Sequence, residues 1–307
     1  MKGSKRWFVI INPTSGNGSS RRKWPKIKTL LETEGFNFDF TFTQHSTHST
    51  TLVQKAINQG FNNIICIGGD GTLHNIINGL QQQQFTDSTT INIGVIPIGT
   101  GNDWIKTHNI PLDIEKAVSI IKNGKLNQQD LGKIEFIDDN REPVYFNNLA
   151  GIGFDGFVVS KVGKFKHLGS LAYLIGAISG LFAFNNFHAK VILSNKEIET
   201  KSLMVLIGLC RYSGGGMQLT KNPITNDGLF DITIAKDLSK FEIIKNLVNL
   251  FNGKIINHDK VENIKVTNLT IKTASKHQPF IQADGELIGK GNIHLSIITK
   301  AFSFYSN

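Results

Sequence analysis

The sequence predicts two domains of different classes: an α/β domain with a parallel sheet at residues 1–131 and a mainly antiparallel β domain at residues 132–307. Apolar strands alternate with helical stretches in the first part, which is typical of a parallel sheet covered by helices. In the second part, strand-like runs follow one another without regular helices between them. The chain has 307 residues, 40% of them hydrophobic and 19% charged, and is long enough for two packed cores.

The first domain is predicted from four apolar strands, each followed by a helix. The strands are expected at residues 7–11, 37–43, 63–68 and 91–97, and the helices at 21–32, at 49–59, at 72–80 and from about residue 102. One more helix is predicted over 113–123, where it begins after Pro111.

The second domain is predicted from six strand-like runs and one helix. The runs lie at residues 144–150, 187–194, 202–209, 229–235, 263–273 and 292–305, and the helix near 240–251. The sequence does not decide whether the last strand stays in the second domain or returns to the first, as chain ends often do. Residues 168–184 form an uncharged stretch of seventeen residues that contains three glycines and two serines. It is predicted to be a buried or cleft-lining helix rather than a membrane span.

Net charge and cysteine content indicate which partners and which cellular compartment to expect. A net charge of +9 suits an acidic partner, which leaves a nucleotide, a nucleic acid or an anionic membrane surface. Cys66 and Cys210 each lie in an apolar run, so they are predicted to be packing residues rather than half of a disulfide framework. The first residues lack the length and cleavage site of a signal peptide. We therefore expect a cytoplasmic protein.

Three predicted strands run into loops rich in small residues. These glycine-rich loops are the first loop (residues 11–18, INPTSGNG), the second loop (67–72, IGGDGT) and the third loop (96–103, IPIGTGND). In a parallel sheet all three lie at the carboxyl edge, where glycine lets a phosphate approach the backbone. Any one loop alone is equally well a tight strand-to-helix turn. Asp70 and Asp103 can orient Mg²⁺ waters or anchor loop amides, and no P-loop motif is present.

Residues 151–156 read GIGFDG and match the glycine pattern of dinucleotide-binding folds. Such a fold also needs an acidic residue about twenty positions later, within a βαβ unit. Neither feature is present, so the pattern is not interpreted as a dinucleotide site.

Taken together, the three loop motifs resemble the catalytic domain of the diacylglycerol kinase and sphingosine kinase superfamily, in particular its small soluble bacterial members. The GGDGT of the second loop also has close relatives in NAD kinases and phosphofructokinases, whereas the PxGTxND pattern of the third is more specific. The resemblance continues through Gly214–Met217, Asn222-Pro223, Asp227–Asp231 and Asp284–Glu286. It spans nearly the whole chain.

The resemblance implies an ATP site in the cleft between the domains, with ATP and Mg²⁺ as cofactors. The residues it assigns to ATP are Asn12, Pro13, Thr14, Ser15, Gly16, Thr43, Gly68, Gly69, Asp70, Gly71, Thr72 and Thr100. Asp227, with the carbonyl groups of Ile224 and Leu229, would hold a structural Mg²⁺. Glu286 would be the catalytic proton acceptor, and Asp70 the catalytic carboxylate on the nucleotide-bound Mg²⁺. Without the resemblance, the Asp-Gly pairs at 227 and 284 are more simply hairpin turns.

One position departs from the family pattern. Three residues after Thr72 the family usually has a glutamate, and this chain has Asn75. The predicted function is ATP-dependent phosphorylation of a lipid hydroxyl, most simply that of diacylglycerol. A NAD or other small-molecule kinase and a catalytically impaired nucleotide-binding regulator are the alternatives.

The expected partner is a lipid substrate at a membrane surface, with peripheral contact at the inner membrane face. Basic residues precede the uncharged stretch at Lys161, Lys164, Lys166 and His167, an order that suits an anionic bilayer. A solvated basic turn explains them equally well. No motif points to nucleic acid, so none is expected as a partner, and the sequence leaves the oligomeric state and the identity of the lipid open.

Overall fold

The computed structural model describes residues 5–162, 180–181, 183–274 and 278–307. The chain divides into two compact units. Unit 1 comprises Met1–Gln129 and Lys300–Asn307, and unit 2 comprises Asp130–Thr299. Most of the uncharged stretch 168–184 lies outside the described residues, as do Lys164, Lys166 and His167.

Unit 1 has the predicted alternation of strands and helices. Its elements are β1 (Arg6–Ile11), α1 (Ser15–Thr33), β2 (Asn37–Phe42), α2 (His48–Asn58), β3 (Asn63–Gly68), α3 (Asp70–Gln82), β4 (Asn92–Pro97), α4 (Asp103–Thr107) and α5 (Ile114–Asn123). The Asp113 side chain caps α5 by accepting a hydrogen bond from the backbone N–H of Lys116.

The sheet of unit 1 is parallel, as predicted. β1 pairs with β2 on one side and with β3 on the other, and β3 pairs with β4. Ser303 and Phe304, near the C terminus, add a further parallel pairing to Asn92 and Ile93 of β4. All residues of β3 are buried, because helices cover both faces of a parallel sheet. The carboxyl ends of β1, β3 and β4 therefore lie at one edge.

The core of unit 1 explains why α1 forms where it does. Trp24, Ile27 and Leu31 recur at helical spacing and are buried. They belong to one apolar cluster with Val9 and Ile65 of the sheet. This packing holds the second half of α1 against the sheet.

Unit 2 is mostly antiparallel β structure, which confirms the predicted class. Its strands are β5 (Lys125–Phe136, which begins in unit 1), β6 (Val144–Phe146), β7 (Leu149–Gly153), β8 (Phe187–Ile192), β9 (Glu197–Gly208), β10 (Phe230–Lys236), β11 (Val261–Val266), β12 (Asn268–Thr273), β13 (Phe280–Ala283), β14 (Glu286–Lys290) and β15 (Ile293–Ser306, which ends in unit 1). Its described helices are α6 (Phe154–Val162), α7 (Lys240–Lys245) and α8 (Leu247–Phe251).

The strands of unit 2 pair in a consistent antiparallel order. β13 lies between β14 and β7, and β7 pairs with β9. β9 also pairs with β8 and β10, while β12 joins β8 to β15. Buried aliphatic residues from these strands form the core of the unit.

Three predicted elements are each divided in the structure. The run 144–150 becomes β6 and β7, the run 263–273 becomes β11 and β12, and the helix 240–251 becomes α7 and α8. Among the described residues, no helix combines the length and the apolar character needed to cross a bilayer.

Candidate active site

The three glycine-rich loops of unit 1 meet at the carboxyl edge of its sheet. The Asn12 side chain joins the first loop to the second, because its Nδ2 donates a hydrogen bond of 3.0 Å to Thr72 Oγ1. Its Oδ1 accepts from the backbone N–H of Thr14 at 3.1 Å. The second and third loops are joined by the Ile98 N–H, which donates to the Gly68 carbonyl at 2.8 Å. The sequence placed these loops on one edge, and the structure brings them into direct contact.

The second and third loops approach each other backbone to backbone. A Cβ atom on Gly99 would lie 2.7 Å from Gly69 Cα and 2.5 Å from Asn102 Oδ1, and one on Gly69 would lie 3.2 Å from Gly99 Cα. Side chains at these positions would force the loops apart. Glycine at both positions thus lets the second and third loops pack backbone against backbone.

The first loop contains three consecutive residues in the left-handed region, Gly16 (φ 57°), Asn17 (φ 53°) and Gly18 (φ 77°). Glycine and asparagine are the residues that enter this region most readily. The turn interrupts α1 directly after Ser15, whose N–H donates to the Asn12 carbonyl at 3.3 Å.

An open recess of about 560 Å³ lies beside this turn and carries two guanidinium groups. Its lining residues are Pro13, Thr14, Asn17, Gly18, Arg21 and Arg22. Arg22 Nη1 donates to the Asn17 carbonyl at 3.1 Å, which ties the guanidinium to the left-handed turn. Guanidinium groups are well suited to phosphate oxygens. Arg21 and Arg22 were not among the predicted site residues, although an arginine pair one turn after SGNG was a signal that could have identified them.

Asp70 anchors the third loop. Its carboxylate accepts hydrogen bonds from the N–H groups of Asp103 (2.9 Å) and Trp104 (3.4 Å) and thereby caps the start of α4. Asn102 occupies the N-cap position, but with a φ of 53° its side chain makes no capping hydrogen bond. The sequence left two roles open for Asp70, orienting Mg²⁺ waters and anchoring loop amides. These contacts correspond to the second role.

Oxygen atoms suited to Mg²⁺ gather where the second and third loops meet. Asn102 Oδ1 is buried and has no hydrogen-bond partner among the described residues. A Cβ on Gly69 would lie 3.7 Å from this atom, and a Cβ on Gly101 would lie 3.4 Å from Asp70 Oδ2. Carboxylate and amide oxygens, directly or through water, are the donors that Mg²⁺ prefers. The chemistry of this edge therefore fits a nucleotide-bound magnesium ion.

Asn75 fills the position of the family glutamate with a different set of contacts. Its Nδ2 donates to the carbonyl groups of Ser46 and Gly71, both at 2.9 Å, and its own carbonyl accepts from Thr50 Oγ1 at 3.0 Å. A carboxylate has no hydrogen to donate to those carbonyl groups. Asn75 thus links the loop after β2 to α3. In the same region, Thr43 is buried and its N–H donates to Ile11 O at 2.8 Å.

In unit 2, Glu286 follows a turn that Asp284 holds in place. The Asp284 carboxylate accepts hydrogen bonds from the N–H groups of Asn147 (3.0 Å), Asn148 (2.9 Å) and Leu149 (3.1 Å). These amides are therefore occupied by a side chain where β6 ends and β7 begins, which is why the predicted run 144–150 is divided there. Glu286 is half-buried and is the first residue of β14.

A second buried contact supports the same turn. Gln282 Oε1 accepts from the Gly285 N–H at 2.8 Å, while its Nε2 donates to Asp155 Oδ2 of α6. Burial raises the pKa of Asp155 to about 6. A Cβ on Gly156 would lie 2.4 Å from the Phe280 carbonyl. Gly156 of the GIGFDG pattern therefore allows close packing of α6 on β13.

The predicted structural metal site centres on Asp227, which the structure shows in an ion pair. Its Oδ1 accepts from the Leu229 N–H at 3.1 Å, and its Oδ2 lies 3.1 Å from Lys265 Nζ. Lys265 also reaches Asp231 at 3.3 Å, and burial raises the pKa of Asp231 to about 6. Within the described ranges, no group of three or more His, Cys, Asp or Glu side chains is arranged to hold a metal.

Two family models cover most of the chain. Residues 6–134 match the diacylglycerol kinase catalytic domain, and residues 148–305 match the YegS C-terminal NAD kinase beta sandwich-like domain. The chain belongs to the diacylglycerol kinase superfamily. This membership confirms the resemblance inferred from the loop motifs.

Individual relatives are similar to this chain over nearly their whole length. A protein named diacylglycerol kinase from Staphylococcus carnosus is 30% identical over 93% of this chain and 90% of its own. Another of that name, from Staphylococcus saprophyticus, is 28% identical over 96% of this chain and 95% of its own. A solved structure described as a diacylglycerol kinase from Bacillus anthracis has the same fold, with a TM-score of 0.74 at 21% identity, covering 100% of this chain and 98% of that one. The similarity therefore extends through both units.

The structure groups the predicted site residues by unit. The loop residues Asn12–Gly16, Gly68–Thr72 and Thr100 lie together in unit 1, with Thr43 at the end of the neighbouring strand. Ile224, Asp227, Leu229 and Glu286 belong to unit 2. Within that unit, Asp227 and Glu286 sit in separate turns, each held by its own contacts.

Proposed function

We propose that this protein transfers the γ-phosphoryl group of ATP to the hydroxyl of a lipid, with a diacylglycerol-like acceptor. The observation that supports this best is the junction of three glycine-rich loops, with a left-handed turn and an arginine-lined recess at one sheet edge. Curated relatives named diacylglycerol kinase support the acceptor class.

The loop residues would act mainly by positioning the nucleotide, since phosphoryl transfer demands placement and charge neutralisation more than covalent chemistry. Backbone amides of Gly16 and Gly69 would cradle phosphates, and Arg21 would add positive charge. Bound Mg²⁺ supplies charge neutralisation at the phosphates, and Asp70 and Asn102 are the residues that would orient its water shell. Asp70 would do so while its carboxylate also holds the third loop.

Glu286 is proposed as the proton acceptor. The lipid oxygen would form a bond to the γ-phosphorus, the bond from that phosphorus to the bridging oxygen would break, and ADP would leave. The hydroxyl proton would pass to the Glu286 carboxylate. The product from diacylglycerol would be phosphatidic acid. Asp284 and Gln282 would hold the turn that presents Glu286.

Labelled ATP with a panel of acceptors tests the proposal. The panel is diacylglycerol, ceramide, a sphingoid base and a glycolipid in mixed micelles, with NAD as a soluble acceptor. Label is expected in a lipid, with diacylglycerol as the best acceptor. Label in NAD alone would indicate a small-molecule kinase, and tight ATP binding with no labelled product would indicate a regulator.

The matched variant for this assay is Glu286→Gln, which keeps the shape of the side chain and removes the base. Loss of a general base typically costs about 10²–10⁴-fold in rate. We expect kcat to fall by about 10² or more while ATP affinity is unchanged. A variant with the wild-type rate would remove Glu286 from the mechanism.

A further inference from the structure

The helix pair α7–α8 in unit 2 carries large apolar side chains that face solvent. Phe241 is 75% exposed and Val248 is 74% exposed, with Ile244 at 40% and Phe251 at 42%. Phe241 and Ile244 are three residues apart in α7, and Val248 and Phe251 are three residues apart in α8, so each pair lies on one face of its own helix. We call these four residues the outer face.

The opposite side of the same helix pair is already packed. Ile243 packs against the buried cluster that contains Phe154 and Leu238. Leu250 packs against the cluster that contains Leu219 and Ile255. The helix pair is therefore apolar on two sides, and the core of unit 2 uses only one of them.

Hydrogen bonds fix the helix pair, so the outer face keeps its orientation. Ser239 and Glu242 form a capping box at the start of α7. At the end of α8, Gln218 Nε2 donates to the Phe251 carbonyl at 2.9 Å, and the Gln218 N–H donates to the Leu250 carbonyl at 2.7 Å.

The charges around the outer face are arranged for an anionic surface. Lys240, Lys245 and Lys254 are exposed next to it. Two acidic groups nearby are each engaged by a lysine, Glu242 by Lys260 at 2.7 Å and Asp237 by Lys201 at 3.1 Å. Exposed apolar side chains flanked by lysines are the combination that binds the interface of an anionic bilayer.

We propose that the outer face of α7–α8 docks this protein on anionic membranes by inserting Phe241 and Val248 among the lipid headgroups. The proposal rests on the proposed function, because a lipid acceptor must be reached at a bilayer. It assigns a contact to residues 241–251, in addition to the one that the sequence suggested for the basic segment and uncharged stretch at 161–184.

Vesicle co-sedimentation of the full chain tests the docking surface. The vesicles are phosphatidylcholine alone or phosphatidylcholine with phosphatidylglycerol. Wild-type protein is expected to bind the anionic vesicles, and the double variant Phe241→Ser/Val248→Ser to bind them at least about tenfold more weakly. The matched control is Phe85→Ser/Leu112→Ser, which removes apolar side chains of similar exposure (58% and 63%) from unit 1. It should bind like the wild type.

A fluorescence measurement keeps the test independent of folding defects. Phe241→Trp places a reporter on the outer face, and its emission should shift to the blue on anionic vesicles. Phe85→Trp should show no shift. Equal vesicle binding by the two double variants, or no shift at position 241, would overturn the proposal. A wild-type dimer that Phe241→Ser/Val248→Ser converts to monomer, with vesicle binding unchanged, would show instead that a second copy covers the outer face.

The docking result is separable from the proposed activity. Phosphorylation of a soluble short-chain diacylglycerol should be equal in the wild type and in Phe241→Ser/Val248→Ser. Activity on that acceptor together with unchanged vesicle binding by the variant would reject the docking surface alone. Vesicle binding that depends on the outer face, without activity on any lipid, would reject the proposed function alone.

Discussion

At the residue scale, Gly69 is a position where the loop geometry restricts the size of the side chain. A Cβ on Gly69 would lie 3.2 Å from Gly99 Cα, so a branched side chain would push the second and third loops apart and displace the Gly69 amide proposed to hold a phosphate. Gly69→Val should weaken ATP binding by at least about tenfold, or 1.4 kcal/mol. Titration calorimetry measures the effect, with Gly69→Ala as the smaller step in a graded series. Unchanged ATP affinity in folded Gly69→Val protein would show that the phosphates lie elsewhere.

Asp155 gives a prediction about pH. Because its pKa is raised to about 6 by burial, the folded state binds more protons than the unfolded state between about pH 4 and pH 6. Its contribution to stability is therefore present below pH 4 and is lost as the pH rises through 6. Asp155→Asn keeps an oxygen acceptor for Gln282 and cannot ionise.

The variant should be more stable than the wild type by about 1–3 kcal/mol at pH 7.5, with little difference at pH 4. Urea unfolding at the two pH values measures this. A gain of equal size at both would mean that ionisation of Asp155 is not its cause.

Close contacts at glycine were predictable where a local motif carries them. Gly68 and Gly69 are adjacent in the GGDGT pattern, and a Cβ on either would meet a neighbouring residue. The partners of Asp70 and Lys265 were not predictable, because each contact joins positions more than thirty residues apart whose register appears only in the folded sheet.

At the element scale, the sequence located the strands of unit 1 and six runs of unit 2, but it did not predict β5, α6, β13 or β14. It also missed where side chains divide the predicted runs. Apolar residues flank Asn147 and Asn148 on both sides, so the run from Val144 through Ala150 was predicted to be one strand. The division comes from Asp284, more than 130 residues later in the chain, whose carboxylate takes three backbone amides. No local propensity encodes that competition.

The loop that carries Asp227 supports a prediction about Mg²⁺. Lys265 occupies one carboxylate oxygen of Asp227, so a divalent ion would have to displace this ammonium group. Mg²⁺ should raise the melting temperature of the wild type but not that of Asp227→Ala. Lys265→Met removes the competing cation and should respond at lower Mg²⁺ concentrations. Equal shifts in the wild type and Asp227→Ala would place the stabilising ion elsewhere.

At the scale of the whole molecule, unit 1 is built from both ends of the chain. The predicted boundary at residue 131 lies close to the end of its first segment at Gln129, and the return of Lys300–Asn307 was the alternative that the sequence left free. The fold classes followed from patterning alone, because periodicity distinguishes α/β from antiparallel structure. The pairing partner of the last strand did not follow from patterning, since an apolar strand fits the edge of either sheet.

Phe304 shows what this return contributes to unit 1. It is 2% exposed, pairs with Ile93 of β4, and its ring lies 4.9 Å from that of Trp104 and 4.4 Å from that of His108. Phe304→Ala should therefore cost about 3–5 kcal/mol in unfolding free energy. Phe85→Ala, at an exposed site of the same unit, should change it by less than about 0.5 kcal/mol.

Urea unfolding measures the total cost, and amide hydrogen exchange locates it. Because Phe304 packs on the start of the third loop's helix, protection should fall in β4 and α4. ATP affinity should fall in parallel, since α4 carries the amides that Asp70 holds. A loss of stability below about 1 kcal/mol, or lost protection confined to unit 2, would show that the C-terminal strand is dispensable for the nucleotide edge.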